Sequence, residues 1–192
     1  MEKDKKQPLQ ARAVNTKKLI IEKSKELFLK KGYKKTNTIL IAKEAKISVG
    51  IVYSYFKDKD ELLELWLNSL LERCDEYFYD QFKLLNYEVE LPFIISNIIE
   101  KISEYFLSSP LLKEKKDEYL INTLNNFFEK AKKIFIKCCY DAGILFKNQN
   151  ETSHIILQLI IDYNNDMSYS LKNINKEALK TKYVNAICAL LK

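Results

Sequence analysis

One histidine, four cysteines, twelve tyrosines and a serine-glycine-apolar run around position 50 are what this 192-residue chain offers for chemistry. A single His154 excludes a histidine-cluster metal site, and no Ser/His/Asp arrangement accompanies it. Three glycines are too few for a phosphate-cradling loop or a dinucleotide fingerprint. The cysteines fall at 74, 138, 139 and 188 without a C-x-x-C pair. Cys138 and Cys139, on a helix, point about 100° apart and cannot readily share a metal. Reduced, buried thiols are expected, with a redox role for the adjacent pair as the other option. No enzyme, cofactor or metal is therefore expected. The remaining chemistry is recognition: Ser48, Val49, Gly50, Ile51, Tyr53 and Tyr55 form a short run of small, apolar and hydroxyl groups within a basic region.

The charge distribution says what such a run could recognise. Residues 1–60 hold 16 Lys and Arg against 7 Asp and Glu, a net +9, while the whole chain is only +6. The basic excess is all N-terminal, the electrostatic footprint of a polyanion-binding end on a near-neutral body. A merely solvated lysine-rich face would also produce it. No secretory signal is visible after Met1. The longest apolar stretch, Ile155 to Ile161, is interrupted by Gln158 and too short to span a bilayer, so a cytoplasmic protein is expected.

The elements that must position these residues are helices, since three Gly and three Pro leave few turns for a many-stranded fold. Residues 1–15 read as a flexible basic arm. A helix is expected from Thr16 to a stop at Gly32, with Ile20, Ser24, Leu27 and Phe28 on one face. A short helix spans about Thr38 to Ala45; after Lys46-Ile47, Ser48 is placed to cap another running through Phe56. Asp58 and Glu61 form a capping-box-like start for a long helix. Three small helices in about forty residues match a helix-turn-helix module, whose second helix enters the major groove. Ile41, Ile47, Val52 and Phe56 supply its miniature core. The run from Ser48 to Tyr55 is then left outward, and Gly50 in a helix costs on the order of 1 kcal/mol, which close approach of DNA would offset. Val49 and Ile51 can pack on thymine methyls, predicting A·T pairs beneath them. Alternatively both are core, and specificity comes from Lys46, Ser48 and the arm.

The segment Gly32 to Leu62 resembles the DNA-binding domain of the TetR/AcrR family of transcriptional regulators. The matches, in order, are Gly32-Tyr33, Thr36-Asn37, Ile41-Ala42, Ala45-Lys46-Ile47-Ser48, Gly50, Val52-Tyr53, Tyr55-Phe56 and Lys59-Asp60-x-Leu62. Lys46 stands where the family has a turn glycine, and Leu40 where an acidic residue is common. The resemblance implies that Thr36, Asn37 and Thr38 contact phosphate or neighbouring bases. It also implies that Ser48, Val49, Gly50 and Ile51 face base edges, and that Tyr53, Tyr55 and Lys59 reach phosphates, with Lys46 adding charge at the turn.

The expected architecture is all-α: arm 1–15, helix-turn-helix domain 16–58, and a helical effector-binding and dimerisation domain 59–192. Long helices are expected to about Leu85, from Pro92 through Phe106, over 117–142, 151–172 and 176–191. The last two are apolar on several sides, so they are either central or shared with a partner. The resemblance implies a homodimer built on them, with Ile156, Ile160, Tyr163, Val184, Ile187 and Leu191 as interface candidates. It further implies an effector pocket among the middle helices, for which Trp66, Phe78, Phe82, Tyr105, Tyr119, Phe127, Phe128, Gln158 and Asp162 are candidates. Taken singly, each aromatic is more simply core. The expected function is a regulator, acting as a repressor released from a near-palindromic double-stranded DNA operator by a small-molecule effector. A small all-α ligand-binding or adaptor protein with a basic N-terminal segment is the alternative.

Overall fold

The computed structural model describes residues 9–87, 90–106, 110–114, 116–168 and 175–192. Among them are eight α-helices and no strand: α1 (Leu9–Lys31), α2 (Thr38–Ala45), α3 (Val49–Tyr55), α4 (Lys59–Lys83), α5 (Leu91–Phe106), α6 (Glu118–Asp141), α7 (Gln149–Ser168) and α8 (Lys176–Leu190). Short 3-10 turns follow α4 at Leu84–Tyr87 and precede α6 at Pro110–Lys113. The chain forms two compact units. Unit 1 is residues 1–67 with 109–117; unit 2 is residues 68–108 with 118–192.

In unit 1, α1 begins seven residues before the expected Thr16. Residues 9–15 hold no Gly or Pro to stop it, and Thr16 does not cap: its hydroxyl donates back to the Arg12 carbonyl at 2.8 Å. The expected arm is thus helical from Leu9, and residues 1–8 lie outside the described set. Ile20, Leu27 and Phe28 of α1 are buried, as are Ile41, Ala42 and Ala45 of α2 and Val52 of α3. Ile47 is only partly so. Phe56, Leu62, Leu63 and Trp66 are also buried in this unit, Trp66 with its ring 6.3 Å from Phe28. The start of α4 is capped much as its sequence predicts. Asp58 accepts from the amides of Asp60 and Glu61, both at 3.0 Å, while Glu61 reaches back to Lys57 N rather than to Asp58.

In unit 2, α5 opens with Pro92 in its first turn, where the missing N–H costs nothing. Its Ile94, Ile95, Ile98 and Ile99 are all but fully buried. They meet Phe78 and Phe82 of α4, Phe135, Cys138 and Cys139 of α6, Ile156, Ile160 and Tyr163 of α7, and Val184, Ile187 and Cys188 of α8 in one core. Phe135 stands edge-on to Phe78 and Phe82, with centroids 6.3 and 5.8 Å away. Gly143 (φ +75) ends α6, allowing Ile144 N to reach the Cys139 carbonyl at 2.8 Å. Lys180 of α8 pairs with Glu100 of α5 at 2.7 Å.

Candidate nucleic-acid interface

Both short helices of unit 1 are capped by the side chains that precede them. Asn37 accepts from Leu40 N at 2.8 Å and stays exposed, and Ser48 accepts from Ile51 N at 3.3 Å. Between the helices, Lys46 takes the left-handed conformation (φ 56, ψ 40). Lys46 N donates to the Lys43 carbonyl at 3.2 Å and Ile47 N to that of Ala42 at 3.0 Å, closing a Schellman turn on a residue with a Cβ. The lysine at the glycine position therefore does more than add charge: it carries the conformational cost of the turn.

Helix α3 is two-faced. Val52 is buried and Phe56 closes the core behind it. On the other side Gly50 is exposed, Ile51 is 39% exposed and Tyr53 55% exposed, with Val49 half-buried. A Cβ added at Gly50 would meet nothing nearer than Ser48 Oγ at 3.9 Å. No packing in unit 1 requires glycine there. With Ile51 exposed and Val49 only half-buried, the sequence alternative that buries both as core does not hold. Tyr53 shares a hydrogen bond of 2.9 Å with the hydroxyl of Thr38, tying α3 to the first turn of α2. Tyr55 is half-buried, its ring 6.4 Å from that of Phe56.

Three of the expected contact residues are engaged internally. Thr36 is 1% exposed and its hydroxyl donates to the Gly32 carbonyl at 2.7 Å, because that carbonyl sits in a buried turn and needs a donor. Thr38 is buried and serves Tyr53. Lys59 donates to the Tyr33 carbonyl at 3.0 Å and lies 3.8 Å from the centre of the Tyr33 ring, while the Tyr33 hydroxyl donates to Asp60. Thr36 and Lys59 thus brace the turn before α2, and the outward set reduces to Asn37, Lys46, Ser48, Val49, Gly50, Ile51, Tyr53 and part of Tyr55. Sequence reasoning missed Ile39, 66% exposed in the first turn of α2. Its signal was an isoleucine off the Ile41–Ala42–Ala45 stripe.

The pocket candidates do not converge. Trp66 is core of unit 1. Phe78 is mostly buried and backs an open cleft of about 240 Å³ in unit 2, lined also by Arg73, Cys74, Tyr77, Lys101 and Ile102. Phe82 contributes to a second, smaller cleft beside Lys83 and Cys138. Phe127 is buried against Phe128, with centroids 5.4 Å apart, and Tyr119 is half-buried. Gln158 and Asp162 bond each other at 2.9 Å in a partly exposed pair on α7, and the side chain of Tyr105 lies outside the described set. The six dimer candidates are likewise spent within the protomer: Ile156, Ile160, Tyr163, Val184, Ile187 and Leu191 all face the core of unit 2. Among the described residues that α7 leaves outside are Asn150, Glu151, His154, Ile155 and Gln158.

The thiols are poorly placed for redox work. Burial pushes Cys138 up to about 11 and Cys139 to about 12, so the reactive thiolate is scarce at neutral pH. Among the described residues, no group of three or more His, Cys, Asp or Glu is placed to hold a metal ion, and no helix is long and apolar enough to cross a membrane.

A sequence profile of the bacterial regulatory proteins of the tetR family matches residues 20–65, the stretch that carries α2, α3 and their braces. The chain is similar to the HTH-type transcriptional regulator HbdR of Aromatoleum sp. (strain CIB), 39% identical over 71 residues, which are 37% of this chain and 31% of that protein. Across the first relatives that match, the chain spans about a third of their own length. It is also similar to QacR of Staphylococcus aureus, 28% identical over 140 residues, 71% of this chain and 72% of that protein. The likeness in fold extends over most of the chain. A solved transcriptional regulator from Aquifex aeolicus superimposes with a TM-score of 0.60 at 27% identity, covering 91% of this chain and 98% of that one. With its capped helix pair and two-faced α3, the stretch 20–65 carries the helix-turn-helix segment of the tetR family of bacterial regulatory proteins, and the chain as a whole is similar in fold to a solved TetR/AcrR-type regulator.

Proposed function

We propose that residues 16–58, braced by the start of α4, bind double-stranded DNA with α3 in the major groove, and that residues 59–192 bind an effector and dimerise. The observation that carries the reading is the bare outer face of α3. A glycine in a helix is a liability of about 0.5–1 kcal/mol unless something must come close, and here no protein group does. The exposed Ile51 and half-buried Val49 methyls beside it suit thymine, while Asn37, Lys46, Ser48 and Tyr53 offer donors to phosphates. Lys59 and Thr36 act one step back, by holding the turn from which α2 starts.

A twofold dimer presents two α3 helices about one helical turn of DNA apart, so the operator is near-palindromic. The protomer's own core uses the inward faces of α7 and α8. The dimer is therefore assigned to their outer faces, on which Ile155 is half exposed. As a repressor, the protein leaves its operator when an effector prefers a conformation with the α3 helices wrongly spaced. Selection of duplexes from a random pool, followed by single-base competition, tests the reading. A·T pairs under Val49 and Ile51, and affinity that falls steeply with salt, are expected. G·C preferred at both positions, or no sequence preference at all, refutes it.

A further inference from the structure

The stretch 110–114, between α5 and α6 in sequence, packs as part of unit 1 and brings a carboxylate to the turn before α2. Its 3-10 turn, Pro110–Lys113, is anchored by Leu111, which is fully buried. Glu114 follows, and its Oε2 accepts from the backbone N–H of Lys34 at 2.9 Å. Its Oε1 occupies the volume that a Cβ at Gly32 would fill, with Pro110 Cβ 3.6 Å from that same point. Gly32 also has φ +85, so both backbone and space reserve the position for glycine.

The turn held in this way sets the start of α2. The Gly32 carbonyl takes the Thr36 hydroxyl, and the Tyr33 carbonyl takes Thr36 N at 3.1 Å and the Lys59 ammonium. Asn37 then caps α2, and Thr38 passes the constraint to Tyr53 of α3. Both ends of the strap run on in sequence into unit 2, to α5 on one side and α6 on the other. An N–H···O bond weakens beyond about 3.2 Å, so a shift of the strap by a fraction of an ångström releases Lys34.

We propose that Glu114 is a positioning residue for DNA binding: its carboxylate, seated at the Gly32 notch and on the Lys34 amide, latches the turn at 32–36 and so holds α2 and α3 in the arrangement that docks on a duplex, and loss of this seat lowers affinity. This rests on the DNA-binding reading of unit 1. The test uses the full chain as wild type, Glu114→Ala and Glu114→Gln. Amide exchange is measured without DNA, and affinity is measured on a duplex that the wild type has selected from a random pool. Exchange at Lys34 quickens about tenfold in Glu114→Ala, whereas the amide oxygen of Glu114→Gln preserves protection. Affinity falls about tenfold in the alanine variant, within the usual range of coupling, and the glutamine variant recovers it. A merely structural role would instead lower the melting temperature of Glu114→Ala in step with affinity. Unchanged Lys34 exchange in Glu114→Ala overturns the latch, and faster exchange with unchanged affinity overturns its role in DNA binding. A wild type that selects no duplex overturns the underlying reading, and is told apart because the failure precedes any substitution.

Discussion

Gly50 and Lys46 each carry a backbone cost that the rest of the protein does not ask for. At Gly50 a methyl group meets open space. Gly50→Ala should therefore stabilise the fold by about 0.5–1 kcal/mol, read from chemical denaturation. The same methyl should weaken duplex binding by about tenfold or more, equivalent to about 1.4 kcal/mol. A gain in stability with unchanged binding would mean that nothing approaches α3 there. At Lys46 the left-handed conformation costs a side-chain-bearing residue roughly 1–2 kcal/mol. Lys46→Gly recovers part of this, offset by the freedom glycine has in the unfolded chain, for a net gain of up to about 1 kcal/mol. If Lys46 neutralises a phosphate, the same change lowers the slope of log affinity against log salt by about 0.9.

Among the elements, α4 depends on its first turn and α6 on its apolar stripe. Asp58→Ala removes the acceptor for two amides at the start of α4 and should cost about 0.5–2 kcal/mol of stability. The stripe of α6 includes thiols that burial holds in their neutral form, Cys139 up to about 12 from an ordinary 9.0. The folded protein keeps these protons to higher pH than the unfolded chain does. Their contribution is therefore complete below about pH 9 and is lost as pH rises toward 12. The melting temperature should decline between pH 9 and 11, and more gently in Cys139→Ala; identical slopes would place Cys139 in contact with water. The three helices that pack against α5 and α6, namely α4, α7 and α8, were foreseeable in number and order from apolar spacing. The start of α1 was not, because a hydroxyl that caps one helix bonds back inside another, and Thr16 takes the second course.

At the scale of the whole molecule, the dimer proposed above rests on the outer face of α7. Ile155→Glu puts a charge on that face without touching the core of unit 2. Sedimentation should then report a monomer with unchanged helicity, and binding to a palindromic duplex should drop more than binding to a half-site. A variant that still sediments as the wild type does would move the interface elsewhere.

What the sequence by itself determined is the class of fold and the recognition run: apolar residues at helical spacing, three glycines, and the ordered Gly32-to-Leu62 motif are local signals, and local signals survive without knowing which surfaces meet. Which face of each helix is consumed inside the protomer is a different matter. Ile156, Ile160 and Val184 look equally suited to a partner or a core, because an apolar stripe specifies that it must be covered and not by what. Thr36 and Lys59 were expected at phosphates by resemblance; only the turn around Tyr33 claims them. Glu114 lies 80 residues from Lys34, and nothing in its neighbourhood announces that bond. Tertiary structure alone decided it, by bringing a strap from between two distant helices to the Lys34 backbone amide.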